Sequence, residues 1–331
     1  MRLHRPLHPD KRNMYKIAVF GLLLLCARSC VSGECNDGKI KYEIVRFNKM
    51  QMVPTNYESD VITNDAEAYY VNITGPVRKF CQGTIDIQVR SYHFWCDVPS
   101  LEEIESGAFE KQNIQEQIRI SLSQVTVIKS KTFHDMPAKE IALLNNKIEK
   151  IEDDAFSNLP NLTTLYLSDN DLTELSPKAI VNTPSLRWFD IGGNKLKKLS
   201  ADFFSFFSKG QITGIGMDGN NLEEIDPKTF QDVNVYALSL SNNSLIQIPD
   251  SLFESKSLAD LHLEDNKLTS LSEKFFDVKT FINVNLTGND LNCETVQKLI
   301  NFAEKNDFLN EDKNTQNFFT FKRLLFDIKD C

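Results

Sequence analysis

The stretch Leu162-Thr163-Thr164-Leu165-Tyr166-Leu167-Ser168-Asp169-Asn170-Asp171-Leu172-Thr173-Glu174-Leu175 decides the fold. It reads LxxLxLxxNxLxxL, and the frame recurs on both sides of it. The third apolar position falls on Cys96, Ile120, Leu143, Leu167, Ile191, Met217, Leu240, Leu263 and Leu286, at intervals of 23 to 26 residues. Asn146, Asn170, Asn194, Asn220, Asn243, Asn266 and Asn289 fill the Asn position, while the first two frames carry Pro99 and Ser123 there. A fixed period of this size is the signature of stacked structural repeats.

Each part of the frame has a physical use. In LxxLxL the alternating apolar residues of a short strand point inward and those between them point outward. The Asn side chain can bond backbone groups left over where the chain leaves the strand. Such a coil buries its apolar face only against its neighbours, so several must stack and both ends need caps. Five residues past the last apolar position of the first eight frames stand Phe109, Phe133, Phe156, Ile180, Phe204, Phe230, Phe253 and Phe276, which predicts an aromatic row on the side opposite the sheet.

On these residues the chain resembles an extracellular leucine-rich-repeat protein of the 24-residue class, over roughly residues 94 to 292. The resemblance implies an α/β leucine-rich-repeat solenoid with a parallel concave sheet, an irregular or short-helical convex side and cysteine-containing caps. Nine strands are expected, beginning near Phe94. Residues 34–93 are read as the N-terminal cap region and 293–331 as the C-terminal cap, with helical composition from Glu294 to Lys305. Cys96 is similar to the last cysteine of the family's N-terminal cap, although that cap carries a tight cluster of four and here only Cys81 and the distant Cys35 precede it.

Ahead of the repeats, the apolar run Ile17–Cys26 follows Lys11, Arg12 and Lys16 and precedes small residues at Val31-Ser32-Gly33. This is the layout of a secretory signal peptide over residues 1–33, with Met14 as a second candidate start. The run is shorter than the roughly 20 apolar residues of a membrane-spanning helix. No later stretch is long enough either, so the mature chain is expected in the extracellular fluid without a transmembrane segment. A cut after Gly33 removes six of the 37 Lys+Arg and one of the 46 Asp+Glu, taking the net charge from −9 to −14. An acidic surface repels nucleic acid, so no nucleic-acid partner is expected.

That cut leaves Cys35, Cys81, Cys96, Cys293 and Cys331. An odd number in a secreted chain implies a buried thiol or a bond to another chain. Cys293 with Cys331 and Cys81 with Cys96 are the favoured pairs, which leaves Cys35 for a disulfide-linked dimer or heterodimer; a buried free thiol at Cys96 is the other reading. A cut after Ala27 would retain Cys30 and make the count even. The glycosylation sequons are at Asn72, Asn161, Asn242 and Asn285.

Gly214-Ile215-Gly216-Met217-Asp218-Gly219 spells GxGxxG. A dinucleotide site needs a strand before that motif and a helix opening within it, whereas Ile215 and Met217 here take inward strand positions and Asn220 continues the frame. The five His residues are scattered, with no HExxH and no paired CxxC. No cofactor, metal site or catalytic residue is therefore read from the sequence, and the chain is expected not to be an enzyme.

Binding in such folds is expected on the concave sheet. Its candidate residues are Tyr166, Trp188, Asp190, Tyr236, Asp260, His262 and Glu264, with Ser239 among them and Gly214, Gly216 and Gly219 clearing space. Exposed Trp and Tyr are enriched at interface hot spots. The expected partner is an extracellular protein or glycan. The chain is loosely similar to the secreted leucine-rich immune proteins of insects but lacks their C-terminal coiled coil, and that resemblance implies recognition or scaffolding in innate immunity. The competing reading is a matrix or adhesion protein of tissue structure or development.

Overall fold

The structure, a computed structural model, describes residues 29–30, 35–38, 42–45, 67–73, 77–82 and 90–306; for the strands before Ile73 and for residues 90–92 it describes the backbone alone. The leader up to residue 28 and the chain after 306, Cys331 included, lie outside the described residues.

One sheet of eleven strands runs the length of the chain: β1 (Tyr42–Val45), β2 (Glu67–Ile73), β3 (Arg90–Cys96), β4 (Ile114–Ser121), β5 (Glu140–Leu144), β6 (Thr164–Tyr166), β7 (Trp188–Asp190), β8 (Ile212–Gly216), β9 (Asn234–Ser239), β10 (Asp260–His262) and β11 (Asn283–Asn285). From β2 onward every neighbouring pair is parallel, and β1 closes the front edge antiparallel to β2. The nine strands of the sequence frame are β3 to β11. The parallel sheet extends one strand further forward, to β2, where the frame has lost its leucines.

The register shows why the frame repeats. Ile118, Ile141, Leu165, Phe189, Ile215, Leu238, Leu261 and Val284 are paired in one unbroken row across β4 to β11. All eight are buried. Stacked coils related by a near-constant shift put like residues against like, so each inward Leu or Ile contributes about 1.5–3 kcal/mol of burial. Two register shifts interrupt the parallel ladder: one between β3 and β4 at Ser91/His93, and one between β8 and β9, where Thr213 pairs with Val235 and Gly214 with Ala237, so Tyr236 is an extra residue on β9. A β-bulge of this kind turns a side chain away from the regular row.

Two ladders staple the coils. In the first, the Asn194 amide oxygen accepts from the Leu172 N–H of the preceding coil at 3.0 Å, while its amino group donates to Leu167 O and Ile191 O at 3.0 Å. Asn170, Asn220, Asn243, Asn266 and Asn289 repeat these three hydrogen bonds. In the frame with Ser123, the serine N–H and hydroxyl both donate to Asn146. The second ladder lies on the far side, where Asn158 donates to Asp135 and Asn182 to Asn158. All three residues have left-handed backbone, which Asn and Asp tolerate best.

The same conformation recurs one residue before each frame Asn, at Asn145, Asp169, Gly193, Gly219, Asn242, Asp265 and Gly288. Gly219, the last glycine of GxGxxG, thus closes a repeat turn, while Gly214 and Gly216 lie in β8. Leu122 occupies this position in its own coil with φ 61° and is 55% exposed, against both its conformational and its solvation preference.

The aromatic row forms in three groups. Phe109, Phe133 and Phe156 stack at 5.0 and 5.2 Å; Phe204 meets Phe230 at 5.5 Å; Phe253 meets Phe275 at 5.6 Å. Ile180 separates the first two groups. In the eighth coil the fully buried ring is Phe275, not Phe276. That segment is the short helix α2 (Glu273–Asp277), which follows α1 (Asp250–Phe253), and one residue along a helix turns a side chain to a different face. Phe276 is only partly buried, and both rings pack on Phe302 of the cap helix α3 (Cys293–Lys305). Asn292 caps α3 by accepting from Thr295 N–H at 2.9 Å, and Val296, Leu299, Phe302 and Ala303 bury one face of it over the last coil. No helix among the described residues is long and apolar enough to cross a membrane.

The disulfide expectation needs correction. Cys96 is a free, buried thiol, and Cys81 and Cys293 are each disulfide-bonded to a cysteine whose side chain is outside the described residues. Cys81 is therefore not joined to Cys96. The reason lies in the frame itself: Cys96 takes the third apolar position and points into the core beside Ile120, where burial pushes its pKa up to about 12. After a cut at Gly33, Cys96 is itself the odd cysteine, and the argument that left Cys35 spare loses its premise. The backbone of Ser29–Cys30 pairs antiparallel with Cys35–Gly38 and, at Ser29, with Phe80. A cut after Ala27 keeps that pairing, and a cut after Gly33 removes it.

Candidate binding face

The outward side chains of the sheet fall into three zones. Toward the front they satisfy one another. Trp95 Nε1 donates to Gln117 at 2.7 Å, Gln117 donates to Glu140 at 2.6 Å, and Arg119 lies 3.7 Å from Asp97. None of these was singled out from the sequence, although they hold the same frame positions as the residues that were. All but Glu140 lie in the first two frames, which carry Pro99 and Ser123 at the Asn position and where the outward positions are harder to pick.

The middle zone brings together Tyr166, Trp188 and Asp190. Tyr166 pairs with Asp190 across the β6–β7 ladder, and burial with the nearby Glu140 and Asp190 charges pushes its phenol pKa up to about 12. Trp188 pairs with Gly214, and its six-membered ring covers that glycine: a Cβ there would lie 2.3 Å from Cε3 and Cζ3. The space that Gly214 was expected to leave open is filled by the indole. Asp190 leans in the same way over Gly216, with Oδ1 2.9 Å from where a Cβ would be, and accepts from Gly192 N–H at 2.9 Å. Burial raises its pKa, aided by the charges of Asp218 and Asp169, while the Gly192 and Ser168 hydrogen bonds hold it down.

The rear zone is an ionic triad. His262 Nε2 lies 3.1 Å from Asp260 Oδ1, and Nδ1 lies 3.4 Å from Glu264 Oε1. The hydrogen bond to Asp260, then that to Glu264, raises the imidazole to about 10, so it is a cation at neutral pH. Asn283 adds a 2.8 Å bond to Asp260. Among the described residues no group of three or more His, Cys, Asp or Glu side chains is arranged to hold a metal ion. Tyr236, on the bulge, is the most exposed of the candidates at 42% and stands apart from the Trp188–Gly214–Ala237 row.

Comparison with known proteins agrees with this geometry. The leucine rich repeat family matches over residues 138–196 and 211–268. The crystal structure of the leucine-rich repeat domain of APL1B superposes with a TM-score of 0.53 at 18% identity, covering 70% of this chain and 65% of that one. The fold is a leucine-rich-repeat solenoid. Among curated proteins, the chain is similar to mimecan of Mus musculus, 29% identical over 117 residues, which is 35% of this chain and 38% of that protein. It is also similar to podocan of Mus musculus, 41% identical over 64 residues, 19% of this chain and 10% of the relative. Asporin of Bos taurus is 29% identical over 124 residues, 35% and 32% of the two chains. The chain thus spans less than two fifths of the length of these relatives.

The sequons fall on different surfaces. Asn161 and Asn242 are exposed on the solenoid's turns. Asn285 lies on the open face in β11, where its Oδ1 accepts from the N–H and hydroxyl of Thr287. Asn72 is in β2, and its side chain is outside the described residues.

Proposed function

We propose that this protein is a secreted, non-enzymatic binding module that holds an extracellular protein on the open face of its sheet. The observation that carries the reading is the middle zone. There an indole and a phenol stand partly exposed on a rigid sheet beside a half-buried carboxylate. Aromatic side chains fixed on a rigid scaffold lose little entropy on binding and dominate interface energetics. The apolar leader supports export, and the similarity to mimecan, podocan and asporin, extracellular-matrix proteoglycans, is in keeping with it.

Those relatives favour a role in matrix or adhesion. The role in innate immunity rests on the looser resemblance drawn from the repeats; the likeness to the APL1B domain speaks for the fold. Constant expression in matrix tissue supports the first role, and induction of the message on infection supports the second. The site is tested by co-purification of the full chain from native extracellular fluid, with and without reductant, using wild type, Trp188→Ala and Tyr236→Ala. Each substitution should weaken capture by at least about 1 kcal/mol with the fold intact. Unchanged capture by both variants would move the site off this face.

A further inference from the structure

Along β5 to β11 the three outward columns of the sheet hold five carboxylates, Glu140, Asp190, Asp218, Asp260 and Glu264, and no Lys or Arg. The one cation in these columns, His262, is already shared between Asp260 and Glu264. Between the acidic walls of β7 and β10, the paired outward positions of β8 and β9 carry only the small residues Gly214, Gly216, Ala237 and Ser239, with Tyr236 on the bulge beside them. With strands about 4.8 Å apart, the walls stand roughly 14 Å from each other. The indole and carboxylate leaning from β7 narrow the open floor to about 10 Å, the width of one extended chain.

Two further observations show that the chain leaves charge in these walls uncompensated. The Glu264 Oε2 atom is buried and has no hydrogen-bond partner among the described residues, and such an acceptor in a folded protein calls for an explanation. Asp190 has its charge raised in cost by burial and by Asp218 and Asp169, and no cation among the described residues is paired with it. A cationic side chain would relieve both walls, and the outward face of Trp188 offers it a cation–π contact.

Resting on the proposed docking face, we infer that its occupant is a basic extended segment of the partner, with an arginine or lysine seated in the trough over Ala237 and Ser239 between Asp190 and Glu264. The trough selects by charge and by depth: an acidic segment meets uncompensated carboxylates, and a residue larger than Ser on its floor closes it.

The chain has two tryptophans, so Trp95→Phe leaves Trp188 as sole reporter. Titrating that full-length chain with a hexa-arginine peptide should give a saturable change in Trp188 emission that weakens as salt rises. Asp190→Asn with Asp218→Asn should weaken binding at least tenfold, and Ser239→Lys should do the same by filling and charging the floor. Hexaglutamate should give no change. Glu223→Gln with Glu224→Gln, exposed acids off this face, should alter binding less than twofold, and urea midpoints verify that each variant is folded. The inference is overturned if hexa-arginine gives no saturable signal, if Asp190→Asn/Asp218→Asn binds as wild type, or if Glu223→Gln/Glu224→Gln loses as much. Should Asp190→Asn/Asp218→Asn still capture the native partner while Trp188→Ala loses it, the face would stand and the basic occupant would fall. Capture unaffected by every variant would remove the docking face itself.

Discussion

Gly214→Ala separates steric from conformational control of the open face. Gly214 has no left-handed backbone, so alanine fits the strand and gains about 0.5–1 kcal/mol over glycine in conformational entropy. Its methyl would lie 2.3 Å from Cε3 and Cζ3 of Trp188, more than an ångström inside ordinary contact. Those atoms belong to a rigid ring, which must swing off the sheet. If the swing exposes on the order of 60–100 Å² of indole, the cost is about 1.5–2.5 kcal/mol. The net loss is then about 1 kcal/mol, a fall in Tm of roughly 2 °C for a chain of this size. In a Trp95→Phe background the emission of Trp188 should shift to the red and become more open to acrylamide quenching. Gly210→Ala is the converse control: nothing lies within 4 Å of its added Cβ, but φ is +76°, so it should cost about 1–2 kcal/mol with unchanged emission. An unaltered Trp188 spectrum in Gly214→Ala would refute the placement of the indole and, with it, the shape of the trough.

Other outcomes follow from the same physics. Asn194→Ala strands the Leu172 N–H and two carbonyls in a buried site and should cost about 3 kcal/mol or more in urea unfolding; Asn289→Ala, at the half-buried last rung, should cost less. His262 has a folded pKa of about 10, above its unfolded value of about 6.5. Its contribution is therefore complete below pH 6.5 and lost as pH rises through 10. With partial exposure screening the pair, His262→Gln should remove about 1–2 kcal/mol of stability at pH 6 and little above pH 10, and an NMR titration placing the ring near 6.5 would contradict this. The Cys96 thiol should resist alkylation at pH 8 in the folded chain and react once unfolded; peptide mapping that finds it in a disulfide would overturn the assignment. Leu122→Asn should stabilise the protein by about 1 kcal/mol, read as a raised urea midpoint, by replacing an exposed leucine in left-handed backbone.

The sequence by itself determined the solenoid, its coil boundaries and the inward positions, because each coil repeats one local problem. The Leu and Ile that face in, the Asn that closes the turn and the spacing between them are set within about 24 residues, and stacking only copies the solution. It also dissolved GxGxxG into a strand and a turn, since Ile215, Met217 and Asn220 keep the frame's phase through the motif. Only the tertiary structure decided what depends on neighbouring coils. Tyr236 was read as one of the face residues, yet a one-residue mismatch between β8 and β9 puts it on a bulge. Cys96 was read as half of a disulfide, yet its inward position against the next coil buries it as a thiol. Phe275 replaces Phe276 in the core because the eighth coil closes with a helical turn. The glycines of β8 were read as cleared space, yet the Trp188 ring from the coil before lies on Gly214. Apart from the Phe275 exchange, which a local helical turn decides, the deciding contact joins residues about one coil apart, and the frame records which side of the strand a residue faces but not which way its side chain leans.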